Sequence, residues 1–230
     1  MKLSVIAVLS VAMIALASSM AAADVITTGS SGVCFAAYNP GFTVSSSSLI
    51  GDHCSAGIQG DVFHVEATGT DYRDAGIVLY NDCSLKLGDL QSVSAASNNN
   101  AALCINLWLD TGGNGKLFSY DANGTFLSLD GDAYGASNST GTATLTGSST
   151  FAFFLGADVG THTLADLQAG LVSGITANTP VAIWIGLTNR ADGATASADI
   201  SSVTVVPEPA TMGLLILGGL AALARRRQRA

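Results

Sequence analysis

Basic residues are scarce in the long central part of this sequence, from Asp24 to Val205. The chain of 230 residues has 9 lysines and arginines against 17 aspartates and glutamates. All of the acids except Glu208 lie in this central part, and its only bases are Arg73, Lys86, Lys116 and Arg190. Such a negative surface repels polyanions, so nucleic acid and anionic lipid are disfavoured as partners.

Strong helix formers are also scarce there, because Glu66 is the only glutamate and lysine and arginine are few. Asp, Gly, Ser, Asn and Thr are abundant instead, and these residues favour turns and strand edges. Short apolar or alternating runs recur between turn signals and predict strands near 33–38, 61–67, 75–80, 103–109, 116–120, 125–129, 151–155, 181–188 and 200–206. The sequence therefore predicts an all-β domain, a β-sandwich of the jelly-roll type.

One short helix interrupts this pattern. Thr163 followed by Asp166 is a capping sequence placed before the apolar residues Leu164, Leu167 and Leu171. We expect the helix to begin there.

Motifs of known enzymes are missing: the sequence has no Gly-x-Ser-x-Gly, no His-Glu-x-x-His and no Walker phosphate loop. His64 and Glu66 stand two residues apart, on one face of a predicted strand. They form either an acid/base pair or half of a metal site, or else simply a solvated strand face, which is the commoner arrangement. We therefore expect a protein that is not an enzyme.

Only four cysteines are present, and none form a close Cys-x-x-Cys pair, which disfavours a zinc site. Three disulfide pairings are possible if the domain resides in an oxidising compartment. We favour Cys34–Cys54 and Cys83–Cys104, because each closes a loop of about twenty residues and would contribute about 3 kcal/mol.

The stretch from Leu107 to Asp132 has two interpretations. In a calcium loop, Asp110, Asn114 and Asp121 would supply oxygens around Gly115, although the third and ninth positions, Gly112 and Phe118, depart from the pattern. In a β-meander, the same residues form turns between short strands, which is the favoured interpretation. An edge cluster that also includes Asp130 and Asp132 remains a candidate calcium site, and we expect no other cofactor.

Exposed aromatic residues beside Asp and Asn side chains are typical of sugar-binding sandwiches. Trp108, Tyr120 and Tyr134 lie near such residues. Trp108 and Trp184, however, both sit in apolar runs and are predicted to be core residues.

Both ends of the chain carry targeting features. Residues 1–23 have a basic start, an apolar run and a small-residue site at Ala21-Ala22-Ala23, as in a secretory signal peptide cut before Asp24. Residues 206–230 begin with Val206-Pro207-Glu208-Pro209. They continue with an uncharged apolar run over 210–224, and end in Arg225, Arg226, Arg227 and Arg229. This run is predicted to be a transmembrane helix of roughly 22 Å, shorter than the hydrocarbon core, with the arginines in the cytoplasm.

This tripartite tail resembles the PEP-CTERM sorting signal of Gram-negative bacteria. The resemblance implies that an exosortase-like membrane protease or transpeptidase cleaves near Pro207-Glu208-Pro209, after a transient stage anchored in the inner membrane. It also implies release or attachment at the cell surface, often together with exopolysaccharide and biofilm production. We therefore expect residues 24–205 to form a non-enzymatic surface or extracellular-matrix domain. The alternative is a carbohydrate-binding module, with or without a requirement for calcium.

Overall fold

The structure is a computed structural model. It describes residues 22–38, 42–50, 53–68, 73–82, 84–98, 103–110, 124–129, 141–153, 161–189 and 195–207. Contacts divide the chain into two compact units, Asp24–Val205 and the two ends Met1–Ala23 with Val206–Ala230. The predicted signal helix and transmembrane helix lie outside the described residues, apart from Ala22 and Ala23.

The described strands form two antiparallel sheets. The seven-stranded sheet contains β1 (Asp24–Ile26), β4 (Leu49–Ile50), β5 (Cys54–Gln59), β6 (Val62–Thr68), β8 (Leu90–Ser97), β11 (Gly141–Leu145) and β15 (Thr195–Pro207). The eight-stranded sheet contains β2 (Cys34–Tyr38), β3 (Phe42–Ser45), β7 (Arg73–Leu79), β9 (Cys104–Asp110), β10 (Gly124–Leu129), β12 (Thr150–Phe153), β13 (Thr161–Thr163) and β14 (Val181–Asn189).

Strands that are distant in sequence lie side by side in both sheets. The first sheet has the order β11-β8-β15-β6-β5-β4, with β1 also paired to β15. The second has the order β13-β12-β10-β9-β14-β7-β2-β3. The last two described strands, β14 and β15, therefore enter the middle of the two sheets, as expected for a wound sandwich. The predicted all-β sandwich is confirmed.

The core lies between the sheets and follows from the two-residue period of the strands. In β6, for example, Phe63, Val65 and Ala67 are buried whereas the residues between them are only partly covered. Phe63 meets Phe35 of the other sheet with ring centroids 6.4 Å apart. This contact joins the two sheets through a pair of aromatic rings.

A second apolar cluster lies on the other face of the eight-stranded sheet. It contains Ala36, Val78, Cys104, Trp108, Ala182 and Trp184, all buried. The indole of Trp184 lies against a pair of glycines in register, Gly76 and Gly186. A Cβ on Gly76 would come within 2.6 Å of Trp184 Nε1, so only glycine leaves room for this indole. The central strands are thus buried on both faces.

The predicted helix is present as α1 (Leu164–Gln168). Thr163 Oγ1 accepts the Asp166 amide and Asp166 Oδ2 accepts the Thr163 amide, at 3.1 and 2.9 Å, so the capping box is complete. Leu164 and Leu167 are buried, whereas Leu171 is 69% exposed and lies beyond the helix end. A short 3₁₀ turn, Leu87–Asp89, precedes β8. No helix among the described residues is long and apolar enough to cross a membrane.

The stretch between Leu107 and Asp132 is described only over 107–110 and 124–129. Strand β9 pairs directly with β10, with Asp110 opposite Gly124, and its other neighbour is β14. The first and last strands of the predicted meander are therefore paired with each other, and the predicted strand at 116–120 lies outside the described residues. Residues 111–123 connect two strands that are already paired, and they lie outside the described residues.

Candidate functional site

The last strand of the sandwich leads the chain into the predicted sorting motif. Within β15, Val203 and Val205 are buried in the core, whereas Val206 and Pro207 are only partly covered. The alternation of buried and partly covered residues therefore ends at Val205, directly before Val206, where the motif begins. Glu208, Pro209 and the arginines Arg225, Arg226, Arg227 and Arg229 lie outside the described residues.

The predicted start of the mature protein lies beside this junction. Strand β1 pairs antiparallel with the end of β15, with Asp24 opposite Val205 and Ile26 opposite Val203. The residue that follows the predicted signal-peptide cut thus faces the last core residue before the sorting motif. The predicted signal-peptide cut comes directly before Asp24, and the predicted sorting motif comes directly after Val205. Both predicted processing points therefore adjoin residues that are paired with each other in one sheet.

Tyr80 connects β1 to the body of the domain. Its hydroxyl donates to Asp24 Oδ2 at 3.0 Å, and its ring packs against the core. Burial, the hydrogen bond to Asp24 and the nearby carboxylates of Asp24 and Asp82 raise the pKa of Tyr80 to about 12. Tyr80 also has a backbone φ of 57°, in the left-handed region that few non-glycine residues adopt.

A cleft of about 700 Å³ lies along β1, bordered by residues 24–26, 30–34, 79–82 and 84. Cys34 lies in this cleft, and burial raises the pKa of its thiol above the ordinary value. Asp82 is at the rim, where the hydroxyl and the amide of Ser84 donate to its carboxylate and lower its pKa. The cleft is lined in part by β1, the strand that pairs with the end of β15.

The predicted calcium ligands are described in one case only. Asp110 is 5% exposed at the end of β9, and its amide donates to the Pro180 carbonyl at 3.0 Å. Asn114, Asp121, Asp130 and Asp132 lie outside the described residues. Within the described ranges, no three His, Cys, Asp or Glu side chains are grouped closely enough to hold a metal ion. The calcium interpretation stays a prediction.

The structure gives His64 a different partner from the one considered in the sequence. His64 Nδ1 lies 2.7 Å from Asp199 Oδ1, across the β6–β15 pair. Glu66 lies two residues along the same strand, opposite Ser55 and Ser197. Only cross-strand register, which local sequence does not contain, identifies Asp199 as the partner.

The predicted Cys34–Cys54 disulfide is absent from the described structure. Cys34 packs against the cluster on the outer face of the eight-stranded sheet, whereas Cys54 lies in the core between the sheets. The two side chains are therefore on opposite sides of a sheet, which no disulfide geometry spans. Cys104 Sγ donates to Asn106 Oδ1 at 3.1 Å, and its predicted partner Cys83 lies outside the described residues.

Trp108 and Trp184 are confirmed as buried residues, with 4% and 1% of their surface exposed. Asn106 is the cross-strand neighbour of Trp184. In the described structure, Trp184 Nε1 and Asn106 Nδ2 are buried donors without a hydrogen-bond acceptor. These two indoles are packed inside the protein, and sugar-binding platforms need an exposed ring. Tyr120 and Tyr134 lie outside the described residues.

Comparisons with known proteins agree with the position of the junction. A family model described as the PEP-CTERM protein-sorting motif matches residues 205–228. No curated protein matches the chain. A solved structure of a low-affinity xylan-binding module, CBM86, from the gut symbiont Roseburia intestinalis is similar at 14% identity and a TM-score of 0.35. That alignment covers 81% of this chain and 96% of the module.

The family match begins at Val205, the last core residue of β15, and it includes the Pro-Glu-Pro sequence, the apolar run and the first three arginines of the tail. Motif and fold thus meet without an intervening linker. The chain carries a PEP-CTERM protein-sorting motif, which marks it as a secreted protein that is sorted at its C-terminus.

Proposed function

We propose that this protein is a non-enzymatic component of the cell surface or extracellular matrix, processed by an exosortase-like membrane enzyme at Val206–Pro209. The observation that carries the proposal is the PEP-CTERM match at residues 205–228, which starts where the folded core ends. Of the described residues, cleavage beyond Val205 can remove only Val206 and Pro207, and neither is buried in the core. A processed protein would therefore keep its complete sandwich.

In this proposal the apolar run over 210–224 holds the exported chain in the inner membrane until the enzyme acts. Its length and the arginines after it favour that orientation. The acidic domain then remains outside the cytoplasm, where its negative charge keeps it soluble among polysaccharides. Exopolysaccharide is the proposed neighbour in the matrix, and the domain functions without a cofactor.

The contact that His64 makes within the sheet supports the proposal that this protein is not an enzyme. Its Nδ1 is engaged by Asp199 in a bond that joins two strands of the sheet. A histidine in this arrangement has a structural role.

The alternative function, a carbohydrate-binding module with or without calcium, requires exposed aromatic rings, and the two described tryptophans are buried.

Intact mass spectrometry of the protein from its native host tests the processing proposal. We expect a chain that starts at Asp24 and ends between Val206 and Pro209. In a host without exosortase, and in a Glu208→Ala variant, we expect the arginine tail to be retained. An arginine tail retained in the unmodified host as well would contradict the proposal and indicate a simple membrane-anchored domain.

A binding assay separates the two functions. We expect the processed domain to co-sediment with the host's own exopolysaccharide and to show no selective binding across a broad glycan array. Selective array binding that a calcium chelator abolishes would support the carbohydrate-binding alternative.

A further inference from the structure

We propose that β1 and Tyr80 form a clasp that closes the end of β15 and thereby confines cleavage by the processing enzyme to the backbone beyond Val205. This inference rests on the proposed function, because it concerns where and how fast the sorting enzyme cuts. It makes Tyr80 a positioning residue for a reaction that takes place outside the sandwich. The parts of this clasp are the three residues of β1, the end of β15 and the phenol of Tyr80.

The first step is the pairing of β15. Strand β6 pairs with β15 from Thr195 to Ile200 and no further in the described register. The stretch Val203–Val205 is then paired with β1. A protease binds its substrate as an extended free chain, so a stretch held in a sheet is protected until the sheet opens locally. Strand β8 is also a hydrogen-bonded neighbour of β15. Strand β1 therefore completes the pairing of this stretch immediately before the sorting motif, and its loss leaves β15 held by fewer strands there.

The second step is how β1 itself is held. It has only three residues, and Val25 is 61% exposed, so its own pairing is a weak restraint. Two contacts reinforce it: Ile26 packs against the core, and the Tyr80 hydroxyl donates to Asp24. A turn then follows, in which Ser30 N donates to Thr27 O and Thr27 N donates to Ser30 Oγ. The clasp is thus anchored at both of its ends.

The third step is the backbone of Tyr80. A φ of 57° is unfavourable for a tyrosine, and such conformations persist where the surrounding structure requires them. Here the conformation occurs one residue after β7 ends, at the residue whose phenol reaches Asp24. The strained backbone thus coincides with the contact that holds the mature N-terminus on β15.

Two variants open the clasp in different ways. Tyr80→Phe keeps the ring and removes the hydrogen bond to Asp24, whereas Val25→Pro removes an amide donor from the middle of β1. The matched control is Val65→Ala, a cavity in the buried face of β6 opposite Ala198, which lowers overall stability without changing β1. All three are made in the full-length chain and expressed in the native host.

The readouts are the C-terminal residue by intact mass, the rate of tail loss by pulse-chase, and amide hydrogen exchange of Val203–Val205. The unmodified chain should give one product that ends between Val206 and Pro209. In both clasp variants we expect faster exchange at Val203–Val205, tail loss accelerated by about fivefold or more, and additional products that end before Val206. The Val65→Ala control should keep the original end point.

Three results would overturn the inference. The first is an unchanged end point and rate in variants whose Val203–Val205 amides exchange faster. The second is the same new products from Val65→Ala, which would attribute them to general instability. The third is a wild-type chain that keeps its arginine tail, and this result alone also removes the proposed function.

Discussion

His64 and Asp199 are cross-strand partners whose side chains meet at 2.7 Å, between Nδ1 and Oδ1. The carbonyl of Asp199 also accepts the amide of Asn98 at 3.0 Å, so this residue contacts β6 through its side chain and the end of β8 through its backbone. The side chains are 19% and 39% exposed, which leaves the pair partly screened by solvent. The pair therefore links both β6 and the end of β8 to β15.

We expect a modest coupling energy for this pair. In a double-mutant cycle of His64→Gln and Asp199→Asn, the coupling should be about 0.5–1 kcal/mol, the range for opposed polar pairs on a sheet face. Urea unfolding measures each free energy. Glu66→Gln on the same strand is the control and should change stability by less than about 0.5 kcal/mol. A coupling of zero would show that the contact does not stabilise the sheet.

The glycine pair beneath Trp184 should tolerate no side chain. A Cβ on Gly186 would lie 2.1 Å from the Ala75 carbonyl and 2.5 Å from Gly76 Cα, and neither backbone atom can move aside cheaply. We expect Gly186→Ala to cost more than about 3 kcal/mol or to prevent folding. Gly147→Ala is the control, since no atom lies within 4 Å of its added Cβ. Equal thermal stability of the two variants would contradict this packing.

Tyr80 should make the stability depend on pH in the alkaline range. Its pKa is about 12 in the folded protein against an ordinary value near 10, so the folded state holds the phenolic proton more tightly. The resulting stabilisation is complete below pH 10 and is lost as pH rises from 10 to 12. Urea unfolding across this range should show the decline in the wild type and a flatter profile in Tyr80→Phe. Phenolate absorbance that titrates near pH 10 for all five tyrosines would contradict it.

The capping box of α1 should contribute at neutral pH and weaken in acid. Thr163→Ala removes the acceptor for the Asp166 amide and should cost about 1 kcal/mol, whereas the exposed Ser173→Ala should be nearly neutral. The amide and the hydroxyl of Thr163 lower the pKa of Asp166 below 3.8. That stabilisation is present above pH 3.8 and is lost as pH falls through the folded value. An Asp166→Asn variant with an unaltered acid profile would contradict this assignment.

Local patterns predicted the elements with strong local signals and missed those without them. The capping sequence at Thr163 placed the helix, and β-branched or aromatic alternation placed β6, β9 and β14. Strands β5 and β8 carry the same two-residue period, but Ala and Ser occupy many of their positions, as in Val93, Ala95 and Ser97. These residues have weak strand propensity, so their pairing depends on neighbouring strands rather than on local sequence.

At the candidate site, too, the sequence predicted the local feature and missed the contacts between distant residues. The sorting motif is a contiguous signal and was found from the sequence alone. The pairing of Asp24 with Val205, and the contact from Tyr80, join residues separated by most or much of the chain. Register between distant strands is set by the buried pattern of the whole sheet. The predicted Cys34–Cys54 disulfide failed for a similar reason, because loop length does not reveal which face of a sheet each residue occupies.

The antiparallel pairing of Asp24 with Val205 also makes the domain suitable for circular permutation and for insertion into another protein. Its first and last core-bordering residues lie side by side, so a short glycine-rich link would close the chain into a ring without crossing the sandwich. New ends opened at an exposed turn such as Gly60–Asp61 would then yield a circular permutant of the same fold. For the same reason the domain can be inserted into a surface loop of another protein with little disturbance of its host.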